Sequence, residues 1–267
     1  MSSGIIGLSH IVFTIEEGKS PGKGIEMILN NHFIKPEYLE LDNSLWRLPL
    51  LRNESNALSK IALYKAADHD LPAIEFLHVS KTDDTRQKFC GVFLNNKMYP
   101  FLGNELFVDE DISELPTDGI EEVTIRKKFI QILNTLRNRQ VNIQHGCWCE
   151  VKDFDSQKAF FKSIPGASFQ IETEDFFVVR SKVVNKRFSW FSIMLIRSEK
   201  YETDFYNDDM GLSTLGWFVK ALEVGVDEES EFLSSPVFPV SINMNTFNAL
   251  FLYTNMGISH ELLKIKQ

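Results

Sequence analysis

A short pattern of strand, helix and further strands returns along this chain, and that recurrence limits its folds more than any single motif. Gly7-Leu8-Ser9-His10 opens an apolar stretch through Ile15, and Gly211-Leu212-Ser213-Thr214 opens another through Val219. Between them, and so second in chain order, a further start lies at Ile143-Gln144-His145-Gly146-Cys147-Trp148-Cys149. Each start is rich in β-branched and aromatic residues, which favour strands. After the first, Ser20-Pro21 signals a helix carrying Ile25, Ile28 and Leu29. Strands are expected at 37–41, 60–65 and 72–79. After the second start, Asp153 or Asp155 caps a helix with Ala159, Phe160 and Phe161, stopped by Pro165-Gly166. Long strands at 169–180 and 187–197 follow. After the third, a short helix at 227–233 precedes strands at 236–242, 249–253 and 260–265. Internal repetition of this kind predicts stacked copies of one supersecondary unit.

Between about 82 and 140 the pattern is less regular. Phe89–Leu94 reads as a strand, Asp109–Asp118 as an acidic loop, and Phe129–Leu136 as a helix ending at Arg137-Asn138-Arg139. The boundary between halves is placed here, giving an N-terminal unit of 1–138 and a C-terminal unit of 139–267. The expected class is α+β, built of repeated βαβββ modules that form open curved sheets.

Composition excludes several function classes. The formal charge of −9 is not offset by any Lys/Arg cluster, so neither nucleic acid nor an anionic membrane surface is an expected partner. Met1-Ser2-Ser3-Gly4 lacks a basic segment followed by an apolar one, so no signal peptide is expected, and no apolar run is long enough to span a bilayer. Cys147 and Cys149 lie on one strand face, roughly 7 Å apart and too far for a disulfide. An odd count of three cysteines fits a reducing cytoplasm. The 22 phenylalanines predict either an aromatic core or an aromatic-lined cup for an apolar ligand.

The first strand with Gly7-Leu8-Ser9-His10, and last strands reading Ile74-Glu75-Phe76-Leu77 and Gly257-Ile258-Ser259-His260-Glu261-Leu262-Leu263, resemble the vicinal oxygen chelate superfamily. That group includes glyoxalase I, extradiol dioxygenases and bleomycin-binding proteins. The resemblance covers about residues 5–81 and 141–267. It implies a cup of paired βαβββ modules with a first-strand residue and a last-strand glutamate of each module facing inward. Carried over, the glyoxalase I pattern falls on His10, Glu75, His145 and Glu261. Imidazoles and carboxylates together suit a divalent Zn, Ni, Fe or Mn ion. Such an ion would act as a Lewis acid on a small oxygen-bearing substrate, with Glu261 or Glu75 moving the proton. The dioxygenase pattern falls on His145, Thr214 and Glu261, and Thr214 departs from it by supplying only a hydroxyl. His145, Cys147 and Cys149 share a strand face but span roughly 14 Å, too far for one ion. His260, next to Glu261, points to the opposite face and is expected at the surface or in packing.

The resemblance implies a metal-dependent lyase, isomerase or oxygenase of glyoxalase/dioxygenase type. A metal-free binding or resistance-type protein with an aromatic-lined cup is the alternative, and the sequence leaves a homodimer open.

Overall fold

The computed structural model describes residues 4–18, 37–42, 51, 58–66, 71–83, 85–102, 105–106, 120–184, 189–198, 206, 209, 211–222, 232–242, 245–254 and 258–265. The helix expected at 25–31 and the acidic loop at 109–118 lie outside them, as does the helix expected at 227–233 apart from its last two residues.

Two sheets carry the fold. The first has β1 (Ile5–Glu16), β2 (Glu37–Asp42), β3 (Leu58–Tyr64), β4 (Ala73–Val79), β12 (Gly211–Val219), β13 (Leu233–Ser234), β14 (Phe238–Ile242), β15 (Asn245–Tyr253) and β16 (Ser259–Ile265). Their order is β13-β15-β16-β12-β1-β4-β3-β2, with β14 also on β15. The second runs β7-β6-β5-β8-β11-β10-β9. It consists of β5 (Cys90–Leu94), β6 (Lys97–Leu102), β7 (Glu105–Leu106), β8 (Gly146–Val151), β9 (Ser168–Glu172), β10 (Phe176–Lys182) and β11 (Trp190–Arg197). Among the described residues the helices are α1 (Ile120–Asn138) and α2 (Phe154–Ser163).

Three sets of strands, β1–β4, β8–β11 and β12–β16, share one ladder pattern. In each, the first strand pairs in parallel with the last: β1 with β4, β8 with β11, β12 with β16. A parallel pair requires a crossover, and α2 supplies it between β8 and β9. The irregular middle supplies β5–β7 and α1, with β5 antiparallel to β8 just as β1 is antiparallel to β12. The two sheets do not divide the chain at 138/139. Modules at the two ends of the chain build the first sheet, and the inner ones build the second.

The 169–180 stretch is two strands, not one. Thr173 breaks it: its N–H donates to the Phe176 carbonyl (2.9 Å), and its Oγ1 accepts from the Phe176 N–H (3.0 Å). A threonine hydroxyl satisfying local backbone groups competes with the ladder in this way.

Between the sheets lies the main core, where Ile11, Phe13, Leu215 and Trp217 meet Val92, Phe177, Ile193 and Leu195. The outer face of the second sheet is covered by α1, whose Phe129, Ile132 and Leu136 pack on Phe93, Trp148, Val178 and Met194. Cys90, Cys147 and Cys149 all lie fully buried in the main core, Cys90 directly opposite Cys149. Burial pushes the Cys147 and Cys149 thiols up, away from the reactive thiolate. A thiol reagent such as Ellman's is therefore expected to label none of the three in the native protein and all three in denaturant.

His260 is a packing residue. Its ring stacks on Phe160 with centroids 3.7 Å apart. The Trp217 indole N–H can only donate, so the His260 Nδ1 at 3.1 Å accepts and the proton sits on Nε2, which donates to Gln157 Oε1 at 2.9 Å. Gln157 in turn donates to Asp153 Oδ2 and to the Ile258 carbonyl, both at 2.8 Å. Burial drives the His260 pKa down to about 3. The unfolded chain therefore binds the proton more readily between the ordinary value of about 6.5 and 3. This contribution to stability is complete above that ordinary value and is lost as the pH falls toward 3. Urea unfolding from pH 7 to 4 should show the decline, and His260→Gln should flatten it. An unchanged slope in the variant would remove His260 as its source.

Candidate functional site

His10 on β1, Glu75 on β4 and Glu261 on β16 meet on the face of the first sheet turned away from the second. Strand alternation places them there: Ile11, Phe13, Phe76 and Leu262 face the main core, so their neighbours face outward. Registry brings them together. In the parallel ladders Glu75 lies opposite Val12 and Glu261 opposite Gly216, while across the central antiparallel pair His10 lies opposite Gly216.

His10 Nε2 is 3.0 Å from Glu261 Oε2 and 3.9 Å from Glu75 Oε1. All three residues are buried, at 4%, 8% and 7% exposure respectively. Buried carboxylates are costly unless they have polar or charged partners, and the imidazole edge supplies one here. On the other side of the ring, Nδ1 lies 3.3 Å from Ser9 Oγ.

The two ladders relate the halves of this sheet by a pseudo-two-fold. Glu75 pairs with Val12 and Glu261 with Gly216, so His10 corresponds to Thr214, two residues earlier in each first strand. Thr214 carries a hydroxyl 2.8 Å from Ser259 Oγ. Because Ser259 Oγ donates to the Ser213 carbonyl (3.3 Å), Thr214 donates its proton to Ser259. One imidazole, two carboxylates and a hydroxyl pair thus replace a symmetric set.

The structure does not bring His145 to the other three. It precedes β8 in the second sheet, half-buried, with Nδ1 accepting from the Asn95 N–H (3.4 Å) and its carbonyl accepting from the Ser192 N–H (3.0 Å). The physical reason is pairing: β12, not β8, is the neighbour of β1. Sequence reasoning also passed over Gly216 and Ser259, whose places depend on long-range registry that no local pattern announces.

Metal–ligand bonds of about 2.0–2.2 Å place adjacent donors roughly 3–3.5 Å apart. The His10–Glu261 spacing meets this, and Glu75 stands a few tenths of an ångström too far. Accordingly, no group of three or more His, Cys, Asp or Glu among the described residues is drawn together closely enough to hold an ion as it stands. The donor types, an imidazole and two carboxylates, are of the kind that would hold a divalent ion.

Fold and site together define an α+β protein of open sheets with a buried imidazole–carboxylate centre where β1, β4 and β16 meet. No family model matches the sequence, and no curated protein matches it. Solved structures do. A candidate dioxygenase from Bacillus subtilis is 12% identical, with a TM-score of 0.32; the match covers 100% of this chain and 64% of that one. The chain thus spans less than two thirds of that protein's length. Glyoxalase I from Zea mays is 7% identical over 96% of this chain and 92% of that one, with a TM-score of 0.45. A hypothetical protein from Staphylococcus aureus is 8% identical over 96% and 98%, with a TM-score of 0.29. All three TM-scores lie below 0.5, and the functional argument rests on the chain's own residues.

Proposed function

We propose that this chain is a metal-dependent enzyme of the vicinal oxygen chelate type, a lyase, isomerase or oxygenase acting on a small oxygen-bearing substrate. The observation that carries the reading is the His10 Nε2 edge facing both Glu75 and Glu261 in a buried site between two modules. His10, Glu261 and Glu75 would hold the ion, of the Zn, Ni, Fe or Mn group. A bound divalent ion supplies Lewis acidity to neighbouring substrate oxygens.

The chain's own residues supply the rest. His10 offers Nε2 to the centre while Ser9 Oγ fixes the opposite edge of its ring. Glu75, the more loosely engaged carboxylate at 3.9 Å, is suited to take a substrate proton at its Oε1, and Glu261 stays anchored on His10. On either side of the centre the same face is apolar. Val12, Ile61, Leu63 and Leu77 form an aliphatic cluster, and Phe218, Phe247 and Phe251 an aromatic one. These favour an apolar or aromatic substrate body. The buried, unpaired cysteines fit a reducing cytoplasm. Among the described residues, no helix is long and apolar enough to cross a membrane.

The test is metal content and affinity of protein purified without a His tag, titrated with Zn, Ni, Fe and Mn. Stoichiometric binding of one ion supports the reading. If none of the four binds, the metal-dependent reading falls and a metal-free binding protein takes its place. That second reading is favoured by the Thr214–Ser259 hydroxyl pair standing at the position of a second imidazole.

A further inference from the structure

We infer that Gly216 is a positioning residue: by having no side chain it lets the His10 imidazole cross from the first module to the carboxylate of the last. This deepens the reading of the same centre, and one of its two readouts is independent of metal. A Cβ placed on Gly216 would overlap the His10 Cε1, Nδ1 and Nε2 atoms together, so the ring lies against the β12 backbone at that residue. Backbone conformation does not require a glycine there. The described glycines with left-handed φ are Gly18, Gly166 and Gly211, and Gly216 is not among them. The requirement comes from the imidazole.

Its consequence is visible in the distances. Glu261 is the ladder neighbour of Gly216, whereas Glu75 is the ladder neighbour of Val12 on the histidine's own strand. Lying over Gly216, the ring places Nε2 3.0 Å from the far module's carboxylate and 3.9 Å from its own module's. The pseudo-symmetric position shows the converse. There Val12 fills the place of Gly216, and its cross-strand neighbour is the short Thr214, not a second histidine. Ring and gap go together in one half, and branched side chain and hydroxyl in the other. Among the described residues the centre is thereby built around one off-axis imidazole.

A double-mutant cycle tests this with Gly216→Ala, His10→Ala and the pair together. Two quantities are read: the thermal midpoint without added metal, and the affinity and visible absorption of bound Co²⁺, added alone as the probe. With His10 present, Gly216→Ala should lower the midpoint by about 2–5 °C, the range overpacking produces in a chain of this size. Co²⁺ affinity should fall at least about tenfold in step. In the His10→Ala background the same substitution should leave the midpoint unchanged, because the clashing ring is gone. A Gly216→Ala protein that folds only when His10 is absent supports the inference equally. Equal losses in both backgrounds, failure to fold in both, or no loss in either would overturn it. If the wild type binds no Co²⁺, the metal reading fails while the midpoint cycle still decides the role of Gly216.

Discussion

On the proposed metal-dependent reading, His10→Ala is expected to lower divalent-ion affinity and turnover by at least about 100-fold, because it removes the one imidazole at the centre among the described residues and leaves two buried carboxylates without it. Glu261→Gln should follow closely, since Glu261 is the carboxylate engaged by Nε2 at 3.0 Å. Glu75→Gln should cost less affinity and more turnover, because Glu75 lies farther from His10, at 3.9 Å, and is the base in the proposed reading. His145→Ala should change neither quantity, as its ring is held by Asn95 on the other sheet. Calorimetric titration of the four variants with one metal separates these outcomes. A His145 variant as impaired as the His10 variant would mean that the centre has been placed on the wrong sheet.

The second large effect is expected far from this centre. Trp148 is fully buried, its ring 5.1 Å from Phe129 of α1 and 4.8 Å from Phe93. Beneath it, a Cβ on Gly91 would overlap the indole ring, so that glycine is needed for the close approach. Trp148→Ala removes the largest of the side chains on which α1 packs, and such a truncation typically costs about 3–5 kcal/mol. Urea denaturation should show a loss of this size, with metal affinity retained wherever the variant remains folded. A loss under about 1 kcal/mol would show that α1 closes the cavity or does not depend on this ring.

Local chemistry made much of the architecture legible. The density of branched and aromatic residues marked β1, β8 and β12, and the α2 stop at Pro165-Gly166 follows from backbone limits that operate within a few residues. His10, Glu75 and Glu261 were singled out by the resemblance of their strands to the vicinal oxygen chelate pattern, to which the rarity of carboxylates in apolar strands added for the two glutamates. Which strands become neighbours was not legible. His145 and Thr214 stand at comparable strand starts, and only the pairing of β1 with β12 decides that Thr214, not His145, faces His10 across the pseudo-two-fold. The α1 region was hard to place because its apolar residues are spaced for packing onto a sheet made by strands far along the chain. Gly216 carried no local signal at all, since its reason is a ring that belongs to the other end of the sequence.

The union of the first module with the last also has a temporal consequence. His10 and Glu261 lie 251 residues apart in the chain. At synthesis rates of about 5–20 residues per second, roughly 13–50 s separate the emergence of the first residue from that of the second. During that interval β1, most of whose residues end up buried in the finished sheet, has only β4 available beside it and waits for β12. The parallel β1–β4 pair must hold through a slow, high-contact-order step before the antiparallel partner arrives. The nascent chain therefore displays an apolar β1 edge until β12 has been made, and the centre comes into being only once β16 follows, not in early folding.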